Sequence, residues 1–177
     1  MQNSLKINLA ALYKKYCAAA VLFTFCGICG WIYETALTSY LWGRFAERGF
    51  LHIPVLPIYG VFAFLMLPIF KKHNGWLTVF FGGMAVTTVL EFISSYIIEW
   101  TIGEKLWSYA SWDFNFQGRI SLYSSLIFGA LSLILIKLVY PLVRKMNEKL
   151  PAWVMYTLGT LFTLAIVSDF VYTVVTG

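Results

Sequence analysis

The sequence from Arg48 to Gly60 reads Arg-Gly-Phe-Leu-His-Ile-Pro-Val-Leu-Pro-Ile-Tyr-Gly, and it places two prolines near the start of an apolar segment. Pro54 and Pro57 each lack an amide hydrogen and disfavour helical geometry in the residue before them. The pattern predicts a chain that enters the apolar phase in extended form and becomes helical from about Pro57. Because lipid offers no hydrogen bonds to the unpaired backbone, we expect this segment to lie against other helices or to line a wet cavity.

The composition predicts the class of the protein. Hydrophobic residues make up 60% of the 177 residues, charged residues make up 12%, and the mean hydropathy is +0.75. In soluble domains about a quarter of the residues are charged. We therefore expect an all-α membrane helix bundle in contact with the lipid bilayer. We expect it to form one domain over residues 1–177. About 20 apolar residues cross the hydrocarbon layer. Five stretches come close to or exceed that length: Tyr16 to Trp42, Ile53 to Phe70, Trp76 to Trp100, Ser121 to Val143 and Ala152 to Val175.

Lysine and arginine residues in the short loops predict the orientation of these five transmembrane helices. One side of the membrane carries Lys6, Lys14, Lys15, Lys71, Lys72, Arg144, Lys145 and Lys149, whereas the other carries Arg44, Arg48, Lys105 and Arg119. The positive-inside rule then predicts a cytoplasmic amino terminus and an external carboxyl terminus. The two loops of unusual sequence, residues 41–53 and 101–120, are therefore expected on the external face.

Two acidic residues, Glu34 and Glu91, lie inside the first and third predicted helices. An ionised side chain at mid-helix costs about 2.5 to 3.5 kcal/mol, so each acid is expected to face the bundle and find a partner, or to be protonated. Arg48 and Arg119, from the two external loops, are the expected counter-charges. Arginine can hold a carboxylate or a phosphate through paired hydrogen bonds.

Two interpretations of these four charged residues remain open. In one, they neutralise each other and stabilise the fold. In the other, they line an outward-facing polar pocket for a ligand, with further contributions from Tyr59, Asn115 and Asp113. The pocket would lie beside the segment that Pro54 and Pro57 interrupt.

The external loop from Trp107 to Ile120 alternates aromatic and polar residues. Its aromatic residues, which include Trp107 and Tyr109, are typical of the interfacial belt at the membrane surface. Gly118 permits a tight turn, which could swing Arg119 back over the bundle before the next helix begins. A loop that folds back in this way could act as a lid.

Several blocks of residues occur together in one order: Gly30-Trp31 with Glu34, Arg48-Gly-Phe-Leu, Pro57-Ile-Tyr-Gly60, Leu90-Glu91 with Ser94-Ser95, and Asn115 with Gly118-Arg119-Ile120. This combination resembles the Putative ABC-transporter type IV family, the CmpB-like bacterial membrane proteins, over about Phe25 to Pro141. The resemblance implies a multi-pass protein of the bacterial cytoplasmic membrane with a permease-like role. The chain departs from the family pattern at Glu47, where the family has Asn, and at Ser108, where it has Asp; Asp113 is a candidate substitute for that aspartate.

Two functions remain open. The first is a transporter or permease-like subunit with an outward-facing polar site. The sequence has no GxxxxGK[ST] phosphate loop, so a separate ATPase subunit would supply energy, and five helices favour a homodimer or a larger complex. The alternative is a membrane-embedded enzyme that acts on a lipid-linked or phosphorylated substrate at the outer leaflet. Glu34 or Glu91 would then serve as general base while the arginines hold phosphate.

No cofactor, metal ion or nucleic acid is expected. The two histidines, His52 and His73, are predicted on opposite faces of the membrane, which makes a zinc site improbable. Cys26 and Cys29 lie deep in an apolar helix, where a thiolate is unfavourable, so packing is the preferred interpretation of both. The net charge of +5 is accounted for by the cytoplasmic loops.

Overall fold

The computed structural model describes residues 2–70, 72–105 and 107–176. Six α-helices lie in these ranges, with a two-stranded antiparallel hairpin between the third and the fourth. In chain order the elements are α1 Gln2–Trp42, α2 Pro57–Phe70, α3 Trp76–Ile102, β1 Asn115–Phe116, β2 Ile120–Ser121, α4 Leu122–Ile134, α5 Tyr140–Lys149 and α6 Ala152–Thr176. The predicted all-α class is confirmed. Within the described ranges, four apolar segments are long enough to cross a membrane: Leu9–Trp42, Trp76–Thr101, Leu122–Lys149 and Ala152–Thr176.

The observed helices differ from the predicted spans in three respects. Helix α1 begins at Gln2, well before the predicted start at Tyr16. Helix α2 begins at Pro57, as predicted, but its 14 residues are fewer than a full span needs. A π-helical turn, Leu135–Val139, separates α4 from α5. Pro141 follows that turn and has no amide hydrogen to donate, which is a common cause of a locally widened helix.

The chain forms two compact units. The first contains residues 1–65 and 139–177, and the second contains residues 66–138. The prediction of one domain over the whole chain stays a prediction.

In the first unit, α1 and α6 run parallel to each other. The hydroxyls of Tyr13 and Thr160 lie 2.6 Å apart, and one turn further along both helices the Tyr16 hydroxyl donates to Thr163 Oγ1 at 2.8 Å. Contacts therefore advance together along the two helices. Cys17 packs directly against Gly159, whose missing side chain lets the helix backbones approach closely.

The segment before α2 descends along α1 without forming a helix. The amide of Ala46 donates to Ser39 Oγ at 2.9 Å, and the amide of Leu56 donates to the carbonyl oxygen of Gly27 at 3.0 Å. Ser39 and Gly27 are twelve residues apart in α1, which corresponds to about 18 Å along the helix axis at 1.5 Å per residue. Gly27 lies near the middle of the candidate span Leu9–Trp42. The stretch of residues 46–70 is therefore broken, with irregular backbone over residues 46–56 and the helix α2 over the rest.

In the second unit, α3 and α4 form an antiparallel pair that packs through small residues. The hydroxyls of Thr88 and Ser125 lie 2.7 Å apart, and Gly83, earlier in α3, lies against Ser132, later in α4. Ser125 and Gly129 of α4 are both buried in this contact.

Candidate functional site

Glu34, Arg48 and Tyr59 meet in the first unit, and we call them the α1 polar cluster. The Tyr59 hydroxyl donates to Glu34 Oε1 at 2.9 Å, and Glu34 Oε2 lies 3.6 Å from Nε of Arg48. Glu34 belongs to α1 and Tyr59 to α2. Arg48 belongs to residues 43–56 between these helices, which we call the irregular segment. The predicted pairing of Arg48 with an intramembrane acid is thus present in the structure.

Two features of α1 position this cluster. Thr35 accepts the amide of Arg48 on its hydroxyl at 3.3 Å, which fixes the start of the irregular segment beside Glu34. Gly30, one turn before Glu34, lies under the Tyr59 ring, and a Cβ at this position would stand 2.8 Å from Cδ1 of the ring and closer still to two other ring carbons. Only glycine therefore lets the tyrosine approach α1 and reach the carboxylate.

The ion pair in this cluster is loose and accessible. Its 3.6 Å separation exceeds the roughly 2.7 to 2.9 Å of a charge-assisted hydrogen bond. The Arg48 side chain is 38% exposed and that of Glu34 is 29% exposed. An anion that approaches from outside the unit could therefore contact the guanidinium without first breaking a tight buried pair.

Asp169 in α6 holds the irregular segment and was not singled out in the sequence. Its Oδ2 accepts the amide of His52 at 2.8 Å and the amide of Ile53 at 3.2 Å, while Oδ1 lies 3.3 Å from Nδ1 of the His52 ring. A carboxylate thus pairs backbone groups that lipid would leave unpaired. The available signal was an acid inside an apolar helix, with Thr173 one turn later on the same face.

The prolines of the irregular segment lie on either side of a tight turn. The amide of Val55 donates to the carbonyl oxygen of Ile53 at 2.7 Å across Pro54, and the α-helix begins at Pro57. The predicted break at these two positions is therefore present.

Glu91 lies in the second unit and is buried against hydroxyl groups. The Tyr109 hydroxyl donates to Glu91 Oε1 at 2.7 Å, and the Ser124 hydroxyl donates to Oε2 at 3.3 Å. The acid therefore joins α3 to the loop and to the start of α4. These contacts fit a structural role, whereas a general base would need an open path to a substrate.

Arg119 is buried in the second unit and is bound on several sides. Its Nη1 donates to Ser95 Oγ at 3.1 Å, its Nη2 donates to Glu99, and its guanidinium lies 3.6 Å above the centre of the Tyr96 ring. The bond to the Glu99 carboxylate raises the pKa of Arg119, so the side chain stays charged at every physiological pH. The sequence suggested Arg119 as a cation for an intramembrane acid but did not identify Glu99 as its partner.

The loop from Trp107 to Ser121 folds back as predicted. Gly118 has a φ of +67°, and the turn brings the side chain of Arg119 onto α3. Asn115 holds this turn, since its side chain donates to the carbonyl oxygen of Trp112 at 2.8 Å and accepts the amide of Gly118 at 3.0 Å. Trp107 Nε1 donates to the carbonyl oxygen of Arg119 at 3.1 Å.

The predicted site residues thus divide between two groups. Glu34, Arg48 and Tyr59 form the α1 polar cluster; Glu91, Trp107, Tyr109, Asn115 and Arg119 anchor the loop of the second unit, where Asp113 is exposed. The prediction that all of them line one pocket stays a prediction. Within the described ranges, no three His, Cys, Asp or Glu side chains lie close enough together to hold a metal ion.

A separate cavity of about 280 Å³ lies in the first unit between α1, α2 and α6. Ala19, Ala20 and Phe23 of α1, Phe64 of α2 and Ile166 of α6 contribute to its wall. The lining is almost entirely apolar and includes none of the predicted site residues. This cavity is therefore distinct from the α1 polar cluster.

The fold and the two polar groups together define a class: an all-helical membrane protein with ionisable side chains gathered inside apolar helices. The chain belongs to the family described as Putative ABC-transporter type IV, because the model of that family matches residues 21–174. The resemblance seen in the sequence is thereby confirmed. No curated protein and no solved structure is significantly similar to the chain.

Proposed function

We propose that the chain is a permease-like subunit of a transporter in the bacterial cytoplasmic membrane, with the α1 polar cluster as an outward-facing site for an anion. In this proposal the chain crosses the membrane five times, with its amino terminus in the cytoplasm. The α4 to α5 segment counts as one crossing, and the broken segment of residues 46–70 counts as another.

The parallel course of α1 and α6 supports five crossings. Helices α3 and α4 are antiparallel, so these two spans together return the chain to the side of the membrane from which α3 starts. If α2 did not cross, α6 would have to run antiparallel to α1. The observed parallel contacts, Tyr13 with Thr160 and Tyr16 with Thr163, therefore favour a crossing by the broken segment.

The orientation follows from the distribution of cations. With five crossings, the lysines and arginines of the amino terminus, of the loop after α2 and of α5 lie on one side, and they outnumber those of the opposite loops. The positive-inside rule places the richer side in the cytoplasm. Arg48 and the end of α1 that carries Glu34 then lie toward the external surface.

The observation that carries the proposal is the loose, partly exposed contact between Arg48 and Glu34. Glu34 is the counter-charge of Arg48, and the Tyr59 hydroxyl holds Glu34 in place. A carboxylate or phosphate group of the ligand would compete with Glu34 for the guanidinium, which is suited to paired hydrogen bonds with either group. Arg119 lacks this freedom because it is buried and already bound to Glu99 and Ser95.

A broken span is a structural device that suits transport. Non-helical backbone at membrane depth is tolerated where protein or water satisfies it, and many transporters place their binding sites at such breaks. Energy would come from a separate ATPase subunit, since the sequence lacks a phosphate-binding loop of its own. A second copy of the chain could complete the transport path.

The proposal is tested by extracting the protein with its native lipid in polymer discs and recording native mass spectra. We expect a bound small anion with a carboxylate or phosphate group, together with an ATPase subunit in the purified complex. A complex that contains neither would contradict the permease function. Chemical conversion of a bound lipid headgroup over time would instead support the enzyme.

A further inference from the structure

His52 is held so that one nitrogen of its ring is fixed and the other is open. Nδ1 lies 3.1 Å from Thr173 Oγ1 and 3.3 Å from Asp169 Oδ1. Thr173 donates its single hydroxyl hydrogen to the carbonyl oxygen of Asp169 at 2.8 Å, so its oxygen faces the ring as an acceptor. Since a carboxylate also only accepts, both neighbours of Nδ1 require a hydrogen on that nitrogen. A further proton can therefore bind only at Nε2, on a side chain that is 60% exposed.

Binding of this proton would change the attachment of the irregular segment to α6. The Asp169 side chain is 12% exposed and already accepts the amides of His52 and Ile53. A neutral His52 ring adds only the hydrogen bond that Nδ1 donates to α6. A protonated ring adds a positive charge 3.3 Å from the carboxylate, which strengthens the same contact.

The charged groups around His52 support the conclusion that protonation strengthens its contact with Asp169. The described ionisable groups of α6 that contact the ring are Asp169 and Tyr172, whose ring centre lies 5.3 Å away. On the irregular segment itself, Glu47 is exposed and Arg48 is paired with Glu34 of α1. The negative charge nearest to the ring therefore belongs to Asp169.

We propose that the His52, Asp169 and Thr173 side chains form a proton-binding latch that regulates the α1 polar cluster. The inference rests on the proposed function only in that Arg48, four residues before His52 on the same segment, is taken to bind the ligand. Protonation of His52 tightens the segment onto α6 and holds Arg48 in its place beside α1. Loss of the proton as the pH rises loosens the segment.

Hydrogen–deuterium exchange of residues 46–56 in lipid discs tests the latch without any ligand. Exchange is compared at roughly pH 5.5 and pH 7.5 and corrected for the intrinsic effect of pH. We expect these amides in wild type to exchange about two- to five-fold more slowly at the lower pH. This factor corresponds to the stabilisation that an exposed ion pair contributes. His52→Gln should abolish this ratio. His73→Gln is the matched control, because it removes the other histidine of the chain, and it should leave the ratio unchanged.

A wild-type ratio of one, or a ratio that survives in His52→Gln, would overturn the latch. The regulatory role has its own readout, the occupancy of the bound anion in native mass spectra. It should be higher at the lower pH in wild type and independent of pH in His52→Gln, and equal pH dependence in both proteins would overturn the regulation. If no anion is bound at all, the proposed function fails while the exchange ratio still decides the fate of the latch.

Discussion

Replacing Asp169 by alanine is expected to destabilise the first unit by about 1 to 3 kcal/mol, because the part-buried amide of Ile53 is left unpaired. The carboxylate accepts the amides of His52 and Ile53, and the nearby Leu56 amide bonds to α1 at the middle of a candidate span. The amide of His52 lies at an exposed position, where water can replace the carboxylate oxygen, so its loss adds little. Thermal unfolding in lipid discs, followed by circular dichroism, measures the effect.

Two further variants separate this role from a general loss of packing. Asp169→Asn keeps one acceptor oxygen and should lose clearly less stability than the alanine variant. Ser168→Ala is the control, since the neighbouring Ser168 side chain is exposed and donates only to a carbonyl oxygen of its own helix. Equal stability of Asp169→Ala and Ser168→Ala would show that Asp169 does not hold the irregular segment.

Replacing Arg48 by alanine is expected to lower the occupancy of the bound anion at least about tenfold, since a hydrogen bond to a charged group contributes about 1.5 to 3 kcal/mol. Glu34→Gln should have the opposite effect. It removes the negative charge that competes with the ligand for Arg48 while it keeps an oxygen for the Tyr59 hydroxyl. Native mass spectra of the two variants, recorded in parallel with wild type, measure both changes.

Arg44→Ala is the matched control for the loss of a cation. Arg44 lies in the same loop, is exposed and stacks over the Trp42 ring at 5.8 Å. Its loss should leave the occupancy within about twofold of wild type, as expected for an exposed cation. Lower occupancy in Glu34→Gln, with normal thermal stability, would contradict the role of Glu34 as a competing counter-charge. An unchanged occupancy in Arg48→Ala would contradict the proposal that the anion binds at the α1 polar cluster.

The sequence predicted the features that depend on local chemistry. Pro54 and Pro57 impose their backbone restrictions whatever surrounds them, so the break and the start of α2 could be derived before any contact was known. The same holds for Gly118, whose positive φ turns the loop back onto α3. The membrane class was also predicted from composition, because a chain this apolar and with this few charged residues is typical of a membrane protein.

The features that the sequence did not reveal depend on contacts between distant segments. Asp169 is more than one hundred residues from the amides that it accepts, and no local pattern marks those amides as its partners. Arg119 pairs with Glu99 because of the register of α3 against the loop, which helical periodicity alone does not fix. Helix α1 extends to Gln2 since nothing in its polar first turns stops a helix, although those turns are too polar to be read as part of a span.

The most direct measurement for the account is the labelling of single cysteines with a reagent that cannot cross the membrane. The variants are Ser4→Cys, Asn74→Cys, Ser111→Cys and Thr176→Cys, each made after the three native cysteines are replaced by alanine. Five crossings with a broken second span predict that intact cells are labelled at positions 111 and 176, and that positions 4 and 74 react only after permeabilisation. Labelling of positions 4 and 176 from the same side would mean an even number of crossings and would contradict the account.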